Sequence, residues 1–163
     1  PIVAADLPVW YAYLSLPEVH GPTSWDVRSA DELSSNVWSE SMREPDRPMR
    51  LAVARRTDGR LVGTIGFHTV SARHKSAEIT YDLSPEIQGK GIATALCREL
   101  TEWAHGSAGM VRVQAATLFG NDRSARVLER SGYVREGLLR AFRQVRGVAG
   151  DFWMYAHIRE NRT

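Results

Sequence analysis

Between Tyr81 and Leu96 the chain passes from one kind of backbone to another within a few residues. An extended run ends at Ser84-Pro85, a short loop carries Gly89 and Gly91, and an apolar helical pattern begins at once. A strand delivered through a glycine loop into a helix aims several backbone N–H groups at one point. The positive end of the helix dipole adds to their pull on an anion. Gly89 and Gly91 lack the Cβ atoms that would hold a phosphate off the backbone. The segment therefore predicts an anion site suited to a pyrophosphate.

Spacing excludes two familiar phosphate loops. No G-x-x-x-x-G-K-[ST] occurs, and Gly89-Lys90-Gly91 opens a dinucleotide fingerprint that Thr94 fails to complete. A chain of 163 residues reads as one domain, residues 1–163, with enough length for a proper core. It opens inside what reads as a strand, so a few residues are expected to precede it. Neither a membrane-length apolar run nor a signal peptide is visible, which points away from a membrane. The lone Cys97 cannot form an internal disulfide, as expected of a reducing cytoplasm. A net charge of +2 is too small to suggest a nucleic-acid partner.

The periodicity predicts the element order. Asp6 precedes a helix over residues 7–14, with Pro8 tolerable in its first turn, and an irregular stretch runs from Pro17 to Asp26. Ser29 and Glu32 read as a capping box opening a second helix to about Met42. Strands are expected over 49–56, 60–70 and 76–83, the first two joined at Asp58-Gly59, as an antiparallel meander. A helix over 91–105 carries Ile92, Leu96, Leu100 and Trp103 on one face. A strand over 110–118, a short helix capped by Asn121, and strands over 133–142 and 151–157 complete a mixed α+β sheet covered by helices.

Gln88-x-x-Gly91-x-Ala93 resembles the acetyl-CoA pyrophosphate loop of the GNAT N-acetyltransferases. Asn121-x-x-Ser124-x-x-Val127-Leu128-Glu129-x-x-Gly132-Tyr133 resembles a motif of their RimJ/RimL-like, ribosomal-protein branch. Element order extends the resemblance to essentially the whole chain. Ala95 departs from it, since many relatives carry Glu there. The resemblance implies a GNAT fold: a mixed, mostly antiparallel sheet flanked by helices and splayed between its two middle strands. It also implies transfer of acetyl from acetyl-CoA to an amine, with no metal. Gln88, Gly89, Lys90, Gly91, Ile92 and Ala93 would cradle the pyrophosphate. Backbone groups of Tyr81, Asp82 and Leu83 would pair with the pantetheine arm, and Asn121 and Ser124 would contact it.

The same resemblance makes Glu78 the expected base, with Asp82 on the same strand face in reserve and a backbone N–H near Tyr81 as oxyanion donor. Many relatives place an acidic Tyr seven residues after the Asn. That position is Leu128 here, which leaves Ser124 to serve the leaving thiolate. The acceptor would meet residues 19–25 and the last hairpin, with His20, Trp25 and Phe142 as contacts. Arg140, Arg143 and Arg146 read as a solvated rim, and His68 as a solvated histidine. A protein N-terminus is the default acceptor of the branch, and an amino acid, polyamine or antibiotic is the rival. Two other readings stay open: a CoA-binding module without catalysis, and an enzyme of nucleotide phosphates. A strand edge or the first helices could pair two chains.

Overall fold

The extended runs after Pro48 pair in sequence because each is apolar on one face and joined to the next by a tight turn. Residues 1–36 and 46–159 are described by the computed structural model. β1 (Met49–Ala54), β2 (Leu61–Ser71) and β3 (Ser76–Leu83) form the expected antiparallel meander. β4 (Arg112–Leu118) follows β3 in parallel, and β6 (Val148–Ile158) and β5 (Val134–Val145) complete the sheet in the order β1-β2-β3-β4-β6-β5. Only Ser76, Ala77 and Glu78 pair with β4, opposite Arg112, Val113 and Gln114. Beyond Glu78 the two middle strands diverge, which is the anticipated splay.

One sheet face is covered by α3 (Ile92–Gly106) and α4 (Asp122–Arg130), the other by α1 (Leu7–Leu14) and α2 (Pro17–His20). Between the sheet and α3 and α4 lies a core of Ile65, Phe67, Ala77, Ile79, Cys97, Leu100, Val113, Leu128 and Tyr155. Cys97 is fully buried there, and burial pushes its thiol up to about 12. The buried side of α3 is Cys97, Leu100, Thr101, Ala104 and His105, whereas Trp103 is 38% exposed. Small residues thus let the helix approach the sheet, and the large apolar stripe read from sequence turns partly outward. Among the described residues, no helix is long and apolar enough to cross a membrane.

Several expected boundaries move. Residues 1–3 form no strand, although the Ile2 N–H donates to the Arg50 carbonyl at 3.3 Å. Pro17–His20 closes a helical turn inside the stretch expected to be irregular, helped by Pro17 at its first position. The second predicted helix begins as a 3₁₀ turn over Asp31–Asn36, and its expected continuation to Met42 lies outside the described residues. Glu32 reaches back to the N–H of Arg28 at 3.0 Å, so no reciprocal box forms with Ser29. The last hairpin is longer than expected because Arg146 (φ 50°) and Gly147 (φ 80°) make a two-residue turn with both φ values positive, which matches the twist of paired strands. A bulge interrupts β5 between Leu139 and Arg143, where Ala141 sits at φ 51° and donates its N–H to Asp151 at 2.7 Å.

Candidate active site

The glycine loop takes the form its sequence requires. Gly89 (φ 74°) and Gly91 (φ 77°) are both left-handed, and a Cβ at either would meet nothing within 4 Å. The space over them is therefore open. The first α3 bond of this region runs from the Ala95 N–H to the Gly91 carbonyl. From Gly89 to Thr94, no backbone N–H finds an acceptor among the described residues. These consecutive free donors at a helix N-terminus form an anion cradle. Gln88 fixes its edge, donating to the Leu83 carbonyl at 2.7 Å and accepting from Arg123 at 3.2 Å. Lys90 caps the Glu86 carbonyl at 2.8 Å.

A cavity of about 500 Å³ runs from this cradle along the splay, and Arg123, Arg126 and Arg130 line it from α4. On the other side of the splay a second cavity of about 590 Å³ is walled by Trp25, His68, Thr69, Ala116 and Arg143. Thr23, Tyr81, Asn121 and Ser124 border both. The Ser84 N–H donates to the Val62 carbonyl at 2.8 Å, so alternation along β3 turns the backbone of Tyr81 and Leu83 away from β2, into the gap. Asn121 accepts from the Ser124 N–H at 3.2 Å through Oδ1, and its amide nitrogen has no partner among the described residues. The Tyr81 hydroxyl donates to the Ser124 carbonyl at 3.2 Å and ties β3 to α4. The Thr117 hydroxyl, on β4 and lining the second cavity, is buried with no hydrogen-bond partner among the described residues. A donor–acceptor group left bare in a gap suits a polar ligand there.

Glu78 stands at the apex of the splay, only 4% exposed. Oε1 accepts from Arg143 Nη2 at 2.7 Å and lies 3.1 Å from His68 Nε2, and Oε2 accepts from Gln114 Nε2 at 3.3 Å. Burial alone would raise its pKa. The hydrogen bonds and charges of His68 and Arg143 outweigh burial and hold the carboxyl at about 2. Such a carboxylate stays ionised and draws cations, but it is a weak proton acceptor. His68 and Arg143, expected to be solvated, thus belong to this cluster. Antiparallel pairing of β2 and β3, which sets Thr69 opposite Glu78, was the available signal for His68. Nothing local in the sequence signalled Arg143.

Asp82, the reserve base, is committed elsewhere. Its carboxylate accepts from Trp10 Nε1 at 3.0 Å, Tyr13 at 2.5 Å, Thr64 at 2.7 Å and Arg50 at 3.2 Å. Burial raises the Asp82 carboxyl, and the Arg50 charge with these bonds only partly counters it. Asp82 is a structural anchor for α1, while its backbone remains on the wall of the first cavity. Of the expected acceptor contacts, Trp25 lines the second cavity. His20 and Phe142 line neither. His20 ends α2 with its carbonyl on Arg146, and Phe142 packs edge-on against Phe152 with Arg143 over its ring. Arg146 accounts for that geometry: its guanidinium donates to the carbonyls of His20, Gly21, Thr23 and Trp25 at 3.0–3.4 Å. The hairpin tip thereby holds the loop that borders both cavities.

The profile of the acetyltransferase (GNAT) domain family matches residues 1–134. The chain is 29% identical over 119 residues to the uncharacterized N-acetyltransferase YoaA of Bacillus subtilis, covering 73% of this chain and 67% of that one. It is 37% identical over 99 residues to the putative ribosomal N-acetyltransferase YdaF of the same organism, covering 61% of this chain and 54% of that one. The matches thus span about half to two thirds of these relatives. A crystal structure of a probable acetyltransferase superposes with a TM-score of 0.81 at 26% identity, over 96% of this chain and 89% of the other. The fold is also that of a spermidine N-acetyltransferase from Vibrio cholerae solved with CoA and spermine, with a TM-score of 0.78 at 20% identity over 96% and 92% of the two chains.

Proposed function

The chain belongs to the GNAT acetyltransferase family, and from that premise we propose that it moves the acetyl group of acetyl-CoA directly to a primary amine. The default acceptor is the α-amine of a protein or peptide N-terminus, in the manner of the RimJ/RimL-like branch. The observation that carries this reading is the meeting of two cavities across the β3–β4 gap at Tyr81, Asn121 and Ser124. One cavity begins in an anion cradle, and the other is walled by His68 and Arg143, the partners of the buried Glu78 carboxylate.

In this reading the free N–H groups of Gly89 to Thr94 hold the pyrophosphate of CoA, and Arg123, Arg126 and Arg130 offer charge to its phosphates. The pantetheine arm runs along Tyr81 and Leu83 as an extra strand and meets the Asn121 amide. The thioester then lies at the gap. The charge of Glu78 draws the incoming ammonium, which gives one proton to a base on the acceptor cavity, and attack of the resulting neutral amine on the thioester carbonyl places negative charge on its oxygen. The Tyr81 N–H, turned into the gap, is positioned to stabilise that charge. The tetrahedral carbon expels the thiolate, whose proton comes from the attacking nitrogen with the Ser124 hydroxyl as orienting partner.

A polyamine is the second reading. Asp26 and Glu32 line the acceptor cavity, a placement that favours a polycation. Added acetyl-CoA or CoA at about a hundred times its Kd is expected to stabilise the fold by about 3 kcal/mol, or roughly 5–10 °C in melting temperature. ATP is expected to leave it unchanged. Free-thiol release would then be followed with N-terminal peptides and with spermidine as parallel acceptors. A melting temperature indifferent to both CoA forms would overturn the acetyltransferase reading, and protection by ATP alone would replace it with a nucleotide-phosphate enzyme.

Glu78→Gln tests the carboxylate separately. The neutral amide keeps the shape and one acceptor oxygen but removes the charge that faces His68 and Arg143. Turnover is expected to fall about 100-fold while the CoA-induced rise in melting temperature is retained. Unchanged turnover would remove Glu78 from the reaction.

A further inference from the structure

We infer that His68, not Glu78, takes the proton from the acceptor amine, through the hydroxyl of Thr69, and that Glu78 is the positioning residue that orients the imidazole. This rests on the acetyltransferase reading above and adds a residue to it. β2 carries one residue too many opposite β3: Phe67 faces Ile79 and Thr69 faces Glu78, which leaves His68 as the extra residue of a bulge. A bulge re-aims the side chain it carries. Here His68 Nε2 is brought to 3.1 Å from Glu78 Oε1, and Nδ1 to 2.9 Å from Thr69 Oγ1. An ionised carboxylate can only accept, so in the neutral imidazole Nε2 carries the hydrogen and Nδ1 accepts from the Thr69 hydroxyl. Both His68 and Thr69 wall the acceptor cavity, and Thr69 is exposed.

The step balances without any further reactant. The acceptor ammonium gives one proton to Thr69 Oγ1 as the Thr69 proton passes to His68 Nδ1. The imidazolium so formed sits on the Glu78 carboxylate, whose other partners are Arg143 and Gln114. The freed amine attacks the thioester, the C–S bond breaks, and the second nitrogen proton leaves with the thiol. His68, 30% exposed at its side chain, then returns its proton to solvent. The remaining charged groups on the cavity are Asp26, Glu32 and Arg50, and Arg50 is paired with Asp82.

The test combines histidine NMR with rate profiles. In the wild-type protein, ring nitrogen shifts are expected to report the Nε2–H tautomer for neutral His68. Glu78→Ala is expected to lose that tautomer preference, since the Thr69 hydroxyl can either donate to or accept from Nδ1. The opposite tautomer in the wild type, or an unchanged preference in Glu78→Ala, would overturn the inference whether or not an acceptor is known. With an active acceptor, His68→Gln is expected to lower kcat about 100-fold and to flatten the acidic limb of the kcat/KM profile. Thr69→Val is expected to lower kcat with less effect on KM, and the CoA-induced stabilisation should persist in both variants. A His68→Gln enzyme with the wild-type limb would assign the proton to another group. Absence of turnover in the wild type with every amine would count against the acetyltransferase reading, while the NMR result would still decide the role of His68.

Discussion

Asp82→Ala is expected to lower the melting temperature by about 10 °C. Removing one partner of a buried ion pair costs about 3–5 kcal/mol, because the remaining charge is stranded away from water, and each kcal/mol is worth roughly 2–4 °C in a domain of this size. Arg50 is 2% exposed and would lose the carboxylate it is paired with. Trp10, Tyr13 and Thr64 would lose an acceptor as well. Trp10 and Tyr13 both belong to α1, so the effect should spread to that helix and to the loop after α2 that borders both cavities. A double variant, Arg50→Met with Asp82→Leu, should recover part of the loss, because it removes both charges together. Thermal unfolding followed by circular dichroism measures both. A loss below about 1 kcal/mol for Asp82→Ala would mean that the pair is solvated in solution, and it would return Asp82 to the list of possible bases.

The placement of Asp82 also marks where sequence reasoning stops. Alternation along β3 correctly set Glu78, Thr80 and Asp82 on one face, since a strand of period two leaves no other choice. What differs between the two carboxylates is their cover. Trp10 and Tyr13 close over Asp82 from α1, some seventy positions earlier in the chain, whereas Glu78 is reached by Arg143 from β5. Such pairings depend on tertiary contacts with no local signature. The glycine loop, the Asn121 cap and the meander were legible because each is written in a few adjacent residues and their hydrogen bonds are local. The last hairpin was read too short for a related reason: Arg146 at positive φ is an unusual turn residue, and the four carbonyls it collects lie more than a hundred positions away. His68 was missed because a bulge breaks the period-two rule on which its placement would have rested.

Gly91→Glu is expected to abolish CoA binding while leaving the protein folded. Two effects act at this residue, and their sizes differ. A non-glycine residue held at φ 77° costs about 1–2 kcal/mol, and a Cβ there meets no neighbour within 4 Å. The fold therefore absorbs the substitution with a fall of a few degrees. The carboxylate, in contrast, enters the cradle formed by the free N–H groups of Gly89 to Thr94 and competes for them as an internal anion. It also occupies the volume of the pyrophosphate and repels it. Affinity for CoA should fall by at least about 100-fold, some 3 kcal/mol, and the stabilisation by CoA should vanish. Gly91→Ala separates the terms, since it carries the backbone strain without the charge, and it should weaken CoA binding by less than about 10-fold. Isothermal titration with CoA on both variants, alongside their melting temperatures without ligand, reads the two effects independently. Wild-type affinity in Gly91→Glu would move the pyrophosphate away from this loop, and with it the direction in which the thioester is laid across the gap between β3 and β4.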